Sequence, residues 1–139
     1  MAVKTYSIQL TTRGEADIHD ITDQVARLVA ESGLQDGLVT IFCPSSTSAL
    51  TSLEYEPGCV SDLQRLFDEI LSPKRPYAHD TRWGDGNGHS HISAALLKAF
   101  FTVPFVDARL TLGTWQQIVY VDFDTRSRRR ELVVQILGE

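Results

Sequence analysis

The alternation of apolar and polar positions along the chain predicts a series of strands. Tyr6, Ile8 and Leu10 alternate with polar residues, which is typical of a strand with one solvent-facing side. The nearly continuous apolar run Leu38–Cys43 predicts a strand that is covered on both sides and that Pro44 ends. Further strands are predicted at Phe105–Val106, Arg109–Leu112, Gln117–Phe123 and Leu132–Leu137. The last third of the chain is therefore rich in strands.

A helical spacing of apolar residues predicts three helices between these strands. The first helix is predicted from Asp20 or Thr22 to Gly33. The second begins at a capping box formed by Ser61 and Gln64, and the third covers Ile92–Phe101. Pro57 and Gly58 are predicted to form a turn ahead of the second helix, and Pro104 prevents the third from continuing. The segment Pro73–His91 has no apolar period and is rich in Pro, Gly, His and Asp, which predicts a long loop.

Strands mixed with helices, together with short connections in the last third, predict an α+β fold. We expect a compact sandwich built on a largely antiparallel sheet, with helices covering one face. The length of 139 residues and the apolar share of 42% fit one domain over residues 1–139. Because a sheet with two apolar faces needs two covers, the opposite face is a candidate contact with another subunit.

Charge and composition exclude several classes of partner. The formal charge of -5 and the isoelectric point of about 5.3 argue against binding to nucleic acid or to anionic lipid. The one basic run, Arg126–Arg130, is short and lacks interleaved aromatic residues. No apolar stretch is long enough to span a bilayer, and the first residues lack the apolar core of a signal peptide. With only two cysteines, both interpreted as buried thiols, we expect a cytoplasmic protein.

Three of the four histidines, His79, His89 and His91, lie in the predicted loop. If the backbone of His89 and His91 is extended, both rings lie on one side, where His79 completes a three-histidine site for a divalent metal such as zinc. Asp62, Asp80 and Asp85 are further candidate ligands. The alternative is that these histidines are polar loop residues that cap the third helix.

Other polar residues are candidates for catalysis and for binding a phosphate. Glu54 follows an apolar run, where a partly buried carboxylate acts as a general base; the alternative is an exposed charge at the end of a strand. Ser45, Ser46 and Thr47 offer hydroxyl donors to a phosphate, although such runs also cap turns. Arginines of the basic run are candidates to hold a phosphate or carboxylate, and strand alternation places Arg128 and Arg130 on one side and Arg129 on the other.

Several segments together resemble one protein family. They are Pro44–Thr51 with Glu54, Gly86–His91, Leu112–Ile118, and Asp122–Asp124 with Arg126 and Arg128. The chain is identified as a member of the YjbQ family, also called the secondary thiamine-phosphate synthase family. The resemblance implies an α+β sandwich, a homotrimer, a site near the subunit boundary and a histidine-bound metal, often zinc. The implied reaction joins hydroxymethylpyrimidine diphosphate to thiazole phosphate and releases pyrophosphate.

The resemblance also implies roles for individual residues. Glu54, Asn87, Trp115 and Gln116 match catalytic positions, and Arg126, with Ser46 and Thr47, matches the substrate-binding region. His79 and His91 match metal ligands. This chain departs from the family pattern at Ser45, where many relatives have histidine, and at His89, where they have an acidic residue, so our hypothesis is that His89 replaces the missing ligand. Two other functions stay open, namely a metal-dependent hydrolase of small phosphorylated or acylated compounds and a non-catalytic trimeric binding protein.

Overall fold

The chain forms eight strands and four helices in this computed structural model, which describes residues 1–139. In chain order they are β1 (Ala2–Thr12), β2 (Asp17–Asp20), α1 (Thr22–Ser32), β3 (Gly37–Phe42), β4 (Ser48–Leu53), α2 (Pro57–Ile70), α3 (Ala78–Trp83), α4 (Gly88–Leu97), β5 (Phe100–Val106), β6 (Arg109–Leu110), β7 (Gln117–Asp122) and β8 (Arg128–Gly138).

The strands form two sheets, and every strand pair is antiparallel. The larger sheet has the order β1-β8-β3-β5-β6 and the smaller one has the order β2-β7-β4. Val39 in β3 lies opposite Val103 in β5 and Ile136 in β8, and all three belong to the main core. The inner face of the larger sheet thus packs on α1 and on one face of the smaller sheet.

Strand β7 is buried on both faces, which explains its continuous apolar sequence. Ile118 and Tyr120 join the main core, whereas Val119 and Val121 join a second core with α2 and α4. The molecule therefore has three layers: the larger sheet, the smaller sheet with α1 beside it, and the helices α2 and α4. The predicted α+β sandwich is confirmed.

The outer face of the larger sheet carries exposed apolar side chains. Leu38, Phe42, Phe100 and Leu137 keep between 42% and 54% of their surface accessible. Leu38 pairs with Leu137, and Phe42 pairs with Phe100, so these residues form adjacent rows. We call this surface the outer sheet face.

Two of the predicted helix boundaries are wrong. Helix α2 begins at Pro57 rather than at Ser61, because the Glu56 carboxylate accepts hydrogen bonds from the amides of Gly58 and Cys59 at 2.7 and 2.8 Å. The third predicted helix, Ile92–Phe101, ends early at Leu97, and Phe100 already belongs to β5. Strand pairing with β3 overrides the helix propensity of that segment.

The predicted loop Pro73–His91 is also partly wrong. It contains the short helix α3 and the first turn of α4, so all three of its histidines lie on helices. In addition, β2 forms a strand in a segment without a strand prediction, and β4 is the strand that the alternative interpretation of Glu54 implied. None of the helices has the length and apolar character that crossing a membrane requires.

Candidate metal centre and adjoining cavity

Helix α3 lies against the first turn of α4, which brings two of the predicted metal ligands together. The amide of Gly88 donates a hydrogen bond to Asp80 Oδ1 at 2.8 Å. A Cβ atom at Gly88 would lie only 2.6 Å from Tyr77 Cβ, so this close approach requires glycine. As a result, the rings of His79 and His91 lie with their centroids 4.5 Å apart.

Two carboxylates complete this cluster. His79 Nδ1 lies 3.4 Å from Asp85 Oδ1 and 3.6 Å from Asp80 Oδ1, and one ligand atom from each of the three residues falls within 4.8 Å of the others. His79 Nδ1 is buried and makes no hydrogen bond. With its amide nitrogen turned toward Asp85, Asn87 donates to that carboxylate at 3.1 Å. Imidazole and carboxylate donors with an unpaired buried ring nitrogen fit a divalent metal such as zinc.

The third predicted ligand, His89, is not brought to this cluster. Because α4 includes both residues, the direction of the side chain turns by about 200° from His89 to His91. The expectation of extended backbone with both rings on one side is therefore wrong. Only 6% of the surface of His89 is accessible, and this residue lines a different cavity from His91.

A cavity of about 430 Å³ adjoins His91. Its polar lining is formed by Ser45, Ser46, Ser48, His91 and Lys98. Lys98 has a φ angle of 94°, which ends α4 and turns the chain into β5. Its amide donates to Ala94 O at 2.9 Å, and its carbonyl accepts from the amide of Leu50 at 3.0 Å. A non-glycine residue held at positive φ on the wall of a cavity is typical of a functional position.

A buried ionic network lies behind Ser45. Arg130 makes a bidentate pair with Asp122, with Nε donating to Oδ2 at 2.7 Å and Nη2 donating to Oδ1 at 2.9 Å. The same guanidinium donates to Ser45 Oγ at 3.0 Å and to Thr47 Oγ1 at 2.9 Å. The hydrogen bond to Asp122 raises the pKa of Arg130, although burial opposes the rise. Arg130 therefore stays cationic and links the start of β8 to the segment before β4.

This network decides which hydroxyl protons are free. Ser45 Oγ accepts from Arg130 and from the amide of Thr47, at 3.2 Å, and its own proton has only a long contact of 3.5 Å with Thr47 Oγ1. Thr47 is buried and donates its proton to Asp124 Oδ2 at 3.1 Å. The structure thus places Ser45 and Ser46 on the cavity wall and places Thr47 behind it.

Asp124 is the second buried carboxylate of the network. Burial by itself would raise the pKa of Asp124, but hydrogen bonds from the Thr125 amide and the Thr47 hydroxyl, together with the charge of Arg128, hold that pKa below its ordinary value. Arg128 Nη2 lies 2.8 Å from Asp124 Oδ2. The predicted alternation of Arg128 and Arg130 against the exposed Arg129 is confirmed. That alternation was the signal for Arg130, whereas Arg126 is exposed and does not line the cavity.

The remaining predicted catalytic residues lie at the other end of the smaller sheet. Glu54 directly follows β4 and is exposed rather than partly buried, and Trp115 is 73% accessible. The side chain of Gln116 accepts from the Gly113 amide at 3.1 Å and donates to Ser52 Oγ at 3.3 Å. Strand β4 is six residues long, so this end lies roughly 17 Å from Ser48 and the cavity.

The comparisons with known proteins place the chain in a family. A family model described as "UPF0047 protein YjbQ-like" matches residues 6–139. A UPF0047 protein of Archaeoglobus fulgidus is 36% identical over 126 residues, covering 91% of this chain and 96% of that protein. The UPF0047 protein YugU of Bacillus subtilis is 33% identical over 138 residues, covering 98% of this chain and 99% of that protein.

Solved structures of similar proteins share the whole fold. The structure of a YbjQ-like protein of unknown function from Sulfolobus solfataricus P2 superposes with a TM-score of 0.89 at 34% identity, covering 99% of this chain and 100% of that one. A YjbQ/UPF0047 family protein from Clostridium acetobutylicum gives a TM-score of 0.87 at 32% identity, covering 95% of this chain and 99% of that one. The family resemblance drawn from the sequence is thus confirmed, and the chain belongs to the YjbQ/UPF0047 family.

Proposed function

We propose that this protein is a metal-binding enzyme that acts on a small phosphorylated compound. The observation that carries the proposal is the cluster of His79, Asp80 and Asp85, with the His91 ring beside that of His79 and with a cavity lined by hydroxyl groups and Lys98 next to His91. His79 Nδ1 supports this most directly, because this buried ring nitrogen makes no hydrogen bond and faces carboxylate oxygens of Asp85 and Asp80 at 3.4 and 3.6 Å, so one metal ion could bind all three groups.

In this proposal His79 and His91 hold a divalent metal, with zinc as the first candidate, and Asp80 or Asp85 completes the ligand set. Asn87 orients Asp85 through its amide. When bound, the metal supplies Lewis-acid polarisation of a phosphoryl oxygen. The buried network does not bind the metal; it fixes the position of Ser45 instead.

The cavity accommodates the phosphate in this proposal. Ser45 offers a hydroxyl proton that otherwise has only the 3.5 Å contact with Thr47 Oγ1, and the exposed Ser46 offers a second hydroxyl. In this proposal the side chain of Lys98, which also lines the cavity, supplies an ammonium group. Arg128 and Arg130 cannot contribute a further free charge, because Asp122 and Asp124 neutralise both. Lys98 is therefore the one lysine or arginine among the residues that line the cavity.

We further propose a homotrimer in which one subunit completes the site of the next. The outer sheet face is apolar and uncovered, and Phe100 belongs both to this face and to the wall of the cavity. A second subunit seated on the outer sheet face would therefore lie beside the cavity. The exposed group Glu54, Trp115 and Gln116 is too far from His91 within one chain, so its proposed catalytic role requires a neighbouring subunit.

The family resemblance makes thiamine-phosphate synthesis the first reaction to test. Displacement of pyrophosphate is favoured by a cluster of cations, and the cavity wall has the single free cation Lys98. This observation favours the second candidate, hydrolysis of a phosphate ester assisted by a metal, since that reaction requires one activated phosphoryl group.

One assay separates these reactions. Zinc-loaded protein is incubated with hydroxymethylpyrimidine diphosphate, with and without thiazole phosphate, while pyrophosphate and phosphate are measured. Synthesis predicts pyrophosphate release only with both substrates, whereas hydrolysis predicts phosphate release from single esters in a panel of small phosphorylated compounds. His91→Ala should abolish either reaction, and His19→Ala, at the histidine paired with Asp17, should retain it. Absence of turnover with the whole panel would contradict the enzymatic proposal and leave the binding protein.

A further inference from the structure

A second cavity, of about 450 Å³, lies on the other side of α4 from the proposed metal centre. It is bounded by α2, by the first turns of α4 and by the connection between β1 and β2, and none of its lining residues lines the cavity beside His91. A concave space of this size that combines apolar and polar walls has the dimensions of a small-molecule site. We call it the α2–α4 cavity.

The apolar part of the α2–α4 cavity is aromatic. Phe67 and Phe123 line it, and their rings lie 4.8 Å apart at an angle of 53°. Leu71 extends this apolar wall. Because aromatic rings favour tilted or offset contact with another ring, the wall suits a ligand with a small aromatic body.

The hydrogen bonds of His89 indicate which polar group the ligand carries. The Ser90 hydroxyl donates to Phe123 O at 2.6 Å, so in its 3.4 Å contact with His89 Nε2 the hydroxyl oxygen is the acceptor and Nε2 is the donor. In the neutral ring, Nδ1 is then an acceptor, and it is buried without a partner. Because His89 lines the cavity, an N–H donor of a ligand is a candidate partner for Nδ1.

Besides the hydroxyls of Ser61 and Ser93, the polar lining of the α2–α4 cavity offers two carboxylate acceptors. Glu15 and Asp68 line it, and neither carboxylate takes part in an ion pair. The Arg65 guanidinium is already engaged, at 3.2 Å from Asp62 and 3.7 Å from Glu69. Gln64 donates its amide hydrogen to Ala16 O at 2.9 Å, so its oxygen stays free.

The backbone that presents Glu15 is held in an unusual conformation. Glu15 and Ala16 have φ angles of 58° and 62°, in the left-handed region that non-glycine residues seldom occupy. The amide of Glu15 donates to Asp124 O at 2.7 Å, and Gln64 holds Ala16 O. These bonds fix the strained turn at the edge of the cavity, as is common at binding sites.

We infer that the α2–α4 cavity is a second binding site, for a small aromatic amine in its protonated form. The aromatic body packs on Phe67 and Phe123, and the ammonium group is held by Glu15 and Asp68, with His89 Nδ1 as a further acceptor. This site uses none of the proposed metal ligands, so it stands or fails separately from the proposed enzymatic function.

Calorimetric titration of the full chain with 2-phenylethylammonium, and with 3-phenylpropionate as the anion of similar shape, tests the inference. We expect the amine to bind and the carboxylate to bind at least about ten-fold more weakly. Asp68→Asn and Glu15→Gln should each weaken amine binding about three-fold to five-fold, as expected for exposed ion pairs. Glu31→Gln, at an exposed carboxylate on α1, and His79→Ala should leave it unchanged.

NMR signals of the His89 ring report where the probe binds. We expect them to shift on addition of 2-phenylethylammonium in the parent protein. The inference is overturned if the amine does not bind, if 3-phenylpropionate binds equally well, if both carboxylate variants bind like the parent, or if the His89 signals do not move. Because His79→Ala is a control here, loss of metal binding has no bearing on the result.

Discussion

At the scale of single residues, the buried guanidinium of Arg130 fixes the position of the Ser45 hydroxyl on the cavity wall. Its guanidinium donates to Asp122, Ser45 and Thr47, and its side chain is only 14% accessible. Removing one partner from such a buried pair is costly because it leaves an uncompensated charge. As a result, the oxygen of the Ser45 hydroxyl accepts two hydrogen bonds, and its proton has only the 3.5 Å contact with Thr47 Oγ1.

The lowered pKa of Asp124 supports a prediction of how the stability of the fold depends on pH. Its pKa is lower in the folded protein than in the unfolded chain, so its contribution to stability is fully present above the ordinary pKa of about 3.9 and is lost as pH falls through the folded value. Asp124→Asn should lower the melting temperature at pH 7 by about 5 °C. The melting temperatures of variant and parent should converge as the pH falls below about 4.

Thermal unfolding between pH 7 and pH 3 measures this effect, with Glu31→Gln on α1 as the matched exposed control. A difference between Asp124→Asn and the parent that stays constant over this range would show that the charge of Asp124 does not stabilise the fold.

At the scale of secondary structure elements, the sequence predicted what local patterns determine. The apolar run of β7 and the end of α1 at Gly33 follow from periodicity and from capping. Helix α3 has no sequence signal because its six residues make fewer than two turns and bury no apolar stripe. The N-cap of α2 was missed because Glu56, rather than Ser or Asp, accepts the amides.

The candidate site was predictable in its residue types and not in its arrangement. The sequence singled out His79 and His91, but the helical backbone that separates His89 from them depends on the docking of α3 on α4. Arg130 was visible only as one arginine of a basic run, because its partners Asp122 and Ser45 come from other elements. Contacts between distant segments cannot be inferred from local spacing.

The contact between α3 and α4 at Gly88 supports a prediction about the metal centre. Gly88→Ala places a methyl group 2.6 Å from Tyr77 Cβ, so α3 must move and His79 must move with it. We expect zinc affinity to fall about ten-fold, as is typical when the groups that orient metal ligands are disturbed. Zinc titration measures the effect, and Gly113→Ala, where the nearest atom lies at 3.8 Å, is the matched control. Equal affinity in Gly88→Ala and in the parent would disprove the role of this contact.

At the scale of the whole molecule, one chain carries two halves of a proposed site that do not meet. The histidine cluster and cavity lie at one end of β4, and Glu54, Trp115 and Gln116 lie at the other. The apolar outer sheet face, which includes Phe100 at the edge of the cavity, is the surface on which a second subunit would join them.

Subunit mixing tests this assembly. His91→Ala and Glu54→Ala should each be inactive alone in the assay for phosphate and pyrophosphate release. If the two variants are unfolded and refolded together in equal amounts, about one quarter of the interfaces combine an intact histidine cluster with an intact Glu54. We therefore expect about one quarter of the parental activity, and separately refolded variants serve as the control. No recovery in refolded mixtures that contain both variants would refute a site shared between subunits.

Zinc binding to purified protein is the most direct test of the central claim, that His79 and His91 hold a divalent metal. Metal-free protein is titrated with zinc, and the loaded crystals are measured by anomalous X-ray scattering at the zinc edge. We predict one zinc per chain with a peak at about 2.0–2.1 Å from ring nitrogens of His79 and His91, loss of binding in His79→Ala and His91→Ala, and unchanged binding in His19→Ala. A structure of zinc-loaded protein without a peak between these two rings would contradict the account.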